Sequence, residues 1–235
     1  MSRTQRLLPY TLCHHVNQKP EAVSINYGKL LRNFSTQGRE NLFLLTGTTL
    51  VLIWSGIEPF DTLTWFMEVL PVLIVAPLLI VTRKSFPLTS LLYRLIFIHA
   101  VILMIGGHFT YARVPVGFWV QDWFDLGRNH YDRLGHLAQG FIPAIAAREI
   151  LLRRSPLQPG KWLFVICACV CLAFSAFYEM IEWWAALIAG EGATDFLGTQ
   201  GDVWDTQWDM FLALTGAVVS LLFLSRKHDK ELKNI

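Results

Sequence analysis

The sequence predicts an all-α fold: an integral membrane bundle of about six transmembrane helices with both termini cytoplasmic. Three observations predict it. Hydrophobic residues make up 53% of the 235 residues and charged residues only 16%, against about 25% charged in a typical soluble domain. Six apolar stretches approach the roughly 20 residues that a helix needs to cross a hydrocarbon core of about 30 Å. Lysine and arginine gather in alternate connecting segments, as they do where cytoplasmic loops are positive. With a mean hydropathy of +0.40, the chain is neither an ordinary soluble globule nor a disordered polymer. A formal net charge of +2 excludes a nucleic-acid binder held by charge. The runs are too long, and too poor in period-two alternation, for β-barrel strands.

Residues 1–40 are polar, with Arg3, Arg6, Lys19, Lys29, Arg32 and Arg39 scattered through them, and read as a cytoplasmic extension. They carry no cleavable signal pattern, so the first span is expected to be an uncleaved anchor. The spans are 41–57, 63–81, 88–110, 133–152, 162–189 and 207–225. The second contains Pro71 and Pro77, which are expected to kink it. The fourth is the most polar, with His136, Gln139, Arg148 and Glu149, so those groups must face protein or an interface. Residues 41–225 form the membrane domain and 226–235 a basic cytoplasmic tail.

Orientation follows from the loops. Arg83 and Lys84 lie in the second, Arg153, Arg154 and Lys161 in the fourth, and Arg226, Lys227, Lys230 and Lys233 in the tail. The first loop has no positive charge and holds Glu58 and Asp61; the fifth has none and holds Glu191, Asp195, Asp202 and Asp205. The third has only Arg113 and Arg128. Trp65, Trp119, Trp123, Trp183, Trp184 and Trp204 fall near the outer ends, as an aromatic belt would. Cys167, Cys169 and Cys171 share one apolar run and read as small buried residues. With Cys13 they imply no disulfide framework.

Threading the chain in alternate directions brings ionisable groups from different spans to one level. His108 ends the third span, Asp132 and His136 begin the fourth, Glu179 and Glu182 lie late in the fifth, Asp205 and Asp209 begin the sixth, and Glu68 lies near the outer end of the second. Asp132 and His136, and Asp205 and Asp209, are four apart; Glu179 and Glu182 are three apart; each pair shares a helix face. Buried carboxylates repel unless something positive stands between them. Arg128, Arg133, a protonated histidine, protons on the acids or a divalent cation would serve. Mixed oxygen and imidazole ligands suit zinc, manganese or iron; oxygen alone suits calcium or magnesium. The metal candidates are Asp132, His136, Glu179, Glu182, Asp205 and Asp209. The catalytic candidates are His130, His136, Asp132 and Glu179, with a histidine as acid or base.

Structural roles are open for the same residues. Glu179 and Glu182 as protonated acids would hold helices together, Asp132 and Asp205 would cap helices, and His136 and His99 would be neutral and bonded to carbonyls. The segment 190–206, rich in glycine and acid, would either cover the site or be a solvated turn.

The runs NHYDRLGHLAQGF, FYEMIEWW and GTQGDVWDTQWDM resemble the YjdF-type family of uncharacterised bacterial inner-membrane proteins, over about residues 41–225. That resemblance implies a multi-pass inner-membrane protein. A more distant resemblance, over about residues 130–225, is to the VanZ-like superfamily. Its pattern is Asp-Lys-x-x-His opening one span, Glu-x-x-Gln in the next, and Asp-x-x-x-Asn then glycine in the last. The counterparts are Asp132, Arg133 and His136; Glu179 and Glu182; Asp205, Asp209 and Gly216. Arg133, Glu182 and Asp209 depart from the pattern, and the site is more acidic by two carboxylates. This likeness implies work on the cell envelope.

The functional expectation is an outward-facing acidic/histidine pocket that acts on, or binds, an envelope lipid or its head group, with a divalent cation as the possible cofactor. Membrane lipid is the expected partner. A proton- or cation-coupled transporter or channel, and an accessory membrane protein without catalysis, are the alternatives.

Overall fold

The computed structural model describes the backbone of residues 27–189 and 199–235, with side chains at 37–188 and 199–235. Residues 1–26, including Cys13, and residues 190–198, including Glu191 and Asp195, lie outside the described residues. Among the described residues the secondary structure is wholly helical: α1 Tyr27–Ser55, α2 Thr62–Thr82, α3 Ser90–Phe109, a 3-10 turn Tyr111–Arg113, α4 Pro115–Phe124, α5 Tyr131–Arg154, α6 Lys161–Ala189 and α7 Asp205–Leu232. Four of these, α2, α3, α6 and α7, are long and apolar enough to cross a membrane. α1 and α5, read from the sequence as spans, are helices of 29 and 24 residues that fall short of that apolar standard.

Local chemistry sets the boundaries. Asp61 caps α2 by accepting the Thr64 N–H at 2.7 Å, and Thr89 caps α3 by accepting the Leu92 N–H. α2 runs unbroken through Pro71 and Pro77. α4 opens on Pro115, which lacks the N–H that a first-turn position would leave unpaired. The sequence pattern reads as loop here, because ten residues are too few to show helical periodicity. α7 continues to Leu232, so most of the basic tail prolongs the last helix.

Contacts between helices fix their directions. Glu149 near the end of α5 meets Thr89 at the start of α3, and Tyr131 at the start of α5 donates to Ile102 O near the end of α3. These two helices are therefore antiparallel. α5 and α7 are parallel: His136 lies near Asp209, Gly140 against Ala213, and Glu149 against His228. A Cβ on Gly140 would stand 1.7 Å from Ala213 O, and one on Gly216 would stand 2.1 Å from Leu137 O. The two backbones touch where both glycines sit, the close approach that small residues allow between helices in lipid.

Apolar cores follow the same pairs. Ala144 of α5, Leu163, Cys167 and Cys171 of α6, and Ala217 and Leu221 of α7 form one; Val69 and Val72 of α2 pack with Ala100 and Met104 of α3 in another. Cys169 corrects the cysteine reading: it is exposed while Cys167 and Cys171 are buried. A step of two turns it to the opposite face, whereas a step of four keeps the other two together. The Trp65 indole N–H donates to Ser55 Oγ at 3.1 Å, tying α2 to α1. Trp119, Trp123, Trp183, Trp184 and Trp204 are exposed.

Candidate functional site

Two short connections build one end of the bundle. Before α5, the buried Asn129 side chain donates to Val114 O at 3.0 Å and accepts the Tyr131 N–H at 3.0 Å. Before α7, Gln200 bonds both backbone groups of Asn129, accepting its N–H at 3.2 Å and donating to its carbonyl at 2.8 Å. Arg128 Nη1 donates to Thr199 O at 2.7 Å. The starts of the two parallel helices are thus stitched together, and their first-turn acids arrive side by side.

Arg128 is the positive centre of this edge. Its Nη2 lies 2.7 Å from Asp205 Oδ1 and 3.8 Å from Asp132 Oδ2, and its Nη1 lies 3.6 Å from Asp202 Oδ2. Arg133 shares Asp202 at 2.9 Å. The Trp204 N–H, then Arg128 and Arg133, hold the Asp202 carboxyl below the usual range. Asp205 therefore pairs with an arginine. It does not cap α7: the capping position is Trp204, which makes no side-chain cap.

His136 is the second centre, one turn deeper. Its Nε2 lies 3.4 Å from Asp132 Oδ1 and 3.9 Å from Asp209 Oδ2; its Nδ1 lies 3.8 Å from Glu179 Oε1 and 3.0 Å from Gln139 Oε1. Single ligand atoms of Asp132, His136 and Asp209 lie within 4.8 Å of one another, and so do those of His136, Glu179 and Glu182. Asp132, His136, Glu179, Asp205 and Asp209 are all buried. Glu68 is buried as well and accepts the Tyr178 hydroxyl at 3.1 Å. Chemically, such an arrangement can bind a cation of mixed nitrogen and oxygen preference, or hold and pass protons.

All six metal candidates thus meet around His136 and Arg128. Two expected neighbours do not join them. His108 bonds the Ser55 carbonyl through Nδ1 at 3.1 Å and stacks on Trp54. His130, expected as acid or base, precedes α5, and its Nδ1 has no hydrogen-bond partner among the described residues. Partial burial, then the charges of Arg133 and Arg128, push its imidazole below the ordinary histidine value. Sequence reasoning gave no role to Tyr178 or Gln139. Gln139 stands three residues from His136, and that spacing was the available signal.

A second polar centre, unassigned from the sequence, lies at the other end. Glu149 accepts the Thr89 N–H at 3.1 Å, the Thr89 hydroxyl at 2.8 Å and Arg153 Nη1 at 2.8 Å, and meets His228 Nε2 at 3.0 Å. Arg148 bridges His228 Nδ1 at 2.8 Å and Asp229 at 2.7 Å. His99 also departs from expectation: its Nε2 has no hydrogen-bond partner among the described residues.

The family model described as "Predicted membrane protein (DUF2238)" matches residues 40–230. The chain is 58% identical over 185 residues to the "Inner membrane protein YjdF" of Escherichia coli (strain K12), covering 79% of this chain and 88% of that protein. No solved structure matches. The matches support the YjdF-type resemblance and do not extend to the VanZ-like one. This is an inner-membrane protein of uncharacterised function, and the chain belongs to the predicted membrane protein family DUF2238.

Proposed function

We propose that the chain crosses the inner membrane six times, α1 and α5 included, with both termini cytoplasmic, and that the His136 cluster faces outward and acts on or binds an envelope lipid or its head group with help from a divalent cation. The observation that carries this reading is the meeting of Asp132, His136, Glu179, Glu182 and Asp209 around one imidazole, all buried except the half-buried Glu182. That many desolvated acids need a positive counterpart. Arg128 reaches Asp132, Asp202 and Asp205; the cation would answer for the rest. The polar groups of α5 face α3, α6 and α7, as a polar helix in lipid requires. Arg83, Lys84, Arg153, Arg154 and Lys161 fall at the opposite end, in keeping with cytoplasmic loops. A bound cation would polarise an ester or phosphate oxygen of the head group.

The test is lipid retention. Mass spectrometry of lipid carried through purification should find an enriched head-group class with the wild type and its loss in Glu179→Gln. Identical lipid profiles from two well-folded proteins would contradict the reading.

A proton-coupled transporter is favoured by one observation, the second buried carboxylate–imidazole pair, Glu149 and His228, at the opposite end. Proton uptake by reconstituted vesicles, absent in Glu149→Gln, would support it.

A further inference from the structure

His136 offers its two ring nitrogens to two different sets of carboxylates. Nε2 faces Asp132 and Asp209 at 3.4 and 3.9 Å, and Nδ1 faces Glu179 at 3.8 Å. A neutral imidazole has a single lone pair to give, because its other nitrogen carries a proton. Gln139, one turn along α5, decides which. Its Oε1 lies 3.0 Å from Nδ1, and an amide oxygen accepts. With the Gln139 amide in this orientation, the proton sits on Nδ1 and the lone pair on Nε2.

The geometry points to a single divalent transition-metal ion ligated by His136 Nε2, Asp132 and Asp209, with Gln139 as the positioning residue that fixes the His136 tautomer and with Glu179 and Glu182 on the far side of the ring, outside the ligand set. This rests on the cation reading above and divides the six candidates between roles. Two further observations support it. Ligands about 2.1 Å from a tetrahedral ion stand about 3.4 Å apart, which is the separation of Nε2 from Asp132 Oδ1. Asp209 Oδ1, like Glu179 Oε1 on the other side of the ring, has no hydrogen-bond partner among the described residues, although the two side chains are only 4% and 6% exposed. A buried carboxylate oxygen without a donor needs another counterpart. Asp132 turns its second oxygen toward Arg128 at 3.8 Å, so its own charge is shared. Asp205 is taken by Arg128 at 2.7 Å and drops out of the ligand set. One nitrogen with carboxylate oxygens suits zinc, manganese or iron better than calcium or magnesium. Glu179, on the protonated side of the ring, is left free to accept a proton.

Chelator-stripped, full-length protein in detergent, titrated with Co2+, tests the assignment through the ion's visible absorption. The wild type should saturate at about one equivalent, and Glu179→Gln and Glu182→Gln should keep both the stoichiometry and the band. His136→Ala, Asp132→Asn and Asp209→Asn should lose them. Gln139→Leu should weaken Co2+ binding roughly 10–100-fold, the range seen when a partner that orients a ligating histidine is removed, and Gln139→Glu should restore it. Should Asp209→Asn fail to fold, Asp209→Glu keeps a carboxylate and should shift the band; an unshifted band overturns the ligand role. Loss of Co2+ in Glu179→Gln with retention in Asp209→Asn would overturn this division while leaving the cation reading standing. Wild-type protein that takes up no Co2+ would overturn both.

Discussion

Glu149 of α5 and His228 of α7, 79 residues apart in sequence, stand 3.0 Å from each other with neither side chain exposed. Thr89 at the start of α3 closes the group from a third helix. Breaking a buried, fully hydrogen-bonded pair by removing one partner leaves the other uncompensated, at about 3–5 kcal/mol. Glu149→Ala should therefore destabilise the folded protein by about that amount, read as a lowered unfolding midpoint in detergent. An unchanged midpoint would show that the group carries no structural load.

Gly140 and Gly216 place the α5 and α7 backbones in contact. Gly140→Ala should force the helices apart and destabilise by at least the roughly 1–3 kcal/mol of an overpacked core. It should also loosen the approach of Asp209 to His136, because His136 lies four residues before Gly140 and Asp209 four before Ala213, which Gly140 meets. Gly38→Ala, with open space around the new Cβ, is the control and should not destabilise. Size-exclusion behaviour and thermal melting of the two variants check this.

The helices were legible because apolar runs and alternating positive loops are local signals. Most of the site was legible too, because Asp132 and His136, or Glu179 and Glu182, reveal a shared face by spacing alone and alternating direction brings the faces together. What was not legible depends on contacts between distant segments. Arg128 reads from the sequence as one of several candidate counter-charges, and nothing near it says that Asp205, at the start of α7, is its partner. Nothing near Glu149 points to His228, because that histidine lies among basic residues that read as a solvated tail. Trp65 fits a belt position by depth, and its indole N–H also finds Ser55. α4, with exposed Phe118, Trp119, Trp123 and Phe124, was too short for its period to show.

Arg128 offsets Asp132, Asp202 and Asp205 together. Arg128→Gln should remove that counter-charge and lower stability more than Lys84→Gln, a change at an exposed lysine in the connection between α2 and α3. High ionic strength should not rescue it, because buried pairs are poorly screened. Melting curves of both variants at low and high salt make the comparison.

His130 supplies the pH dependence. Its folded-state value lies below the ordinary 6.5, so the fold favours the neutral ring and the unfolded chain binds more protons between the two values. Stability from this group is then present above about 6.5 and lost as pH falls through the lowered folded value. His130→Gln should flatten that part of the acid loss, seen as a smaller drop in melting temperature between neutral pH and pH 5 than in the wild type.

Elemental analysis of the protein as purified tests the central claim most directly. The account predicts about one equivalent of a divalent transition metal per chain, lost in His136→Ala while that variant still elutes as a folded protein. Wild-type protein free of such metal, unable to take it up and as well folded as before, would contradict it.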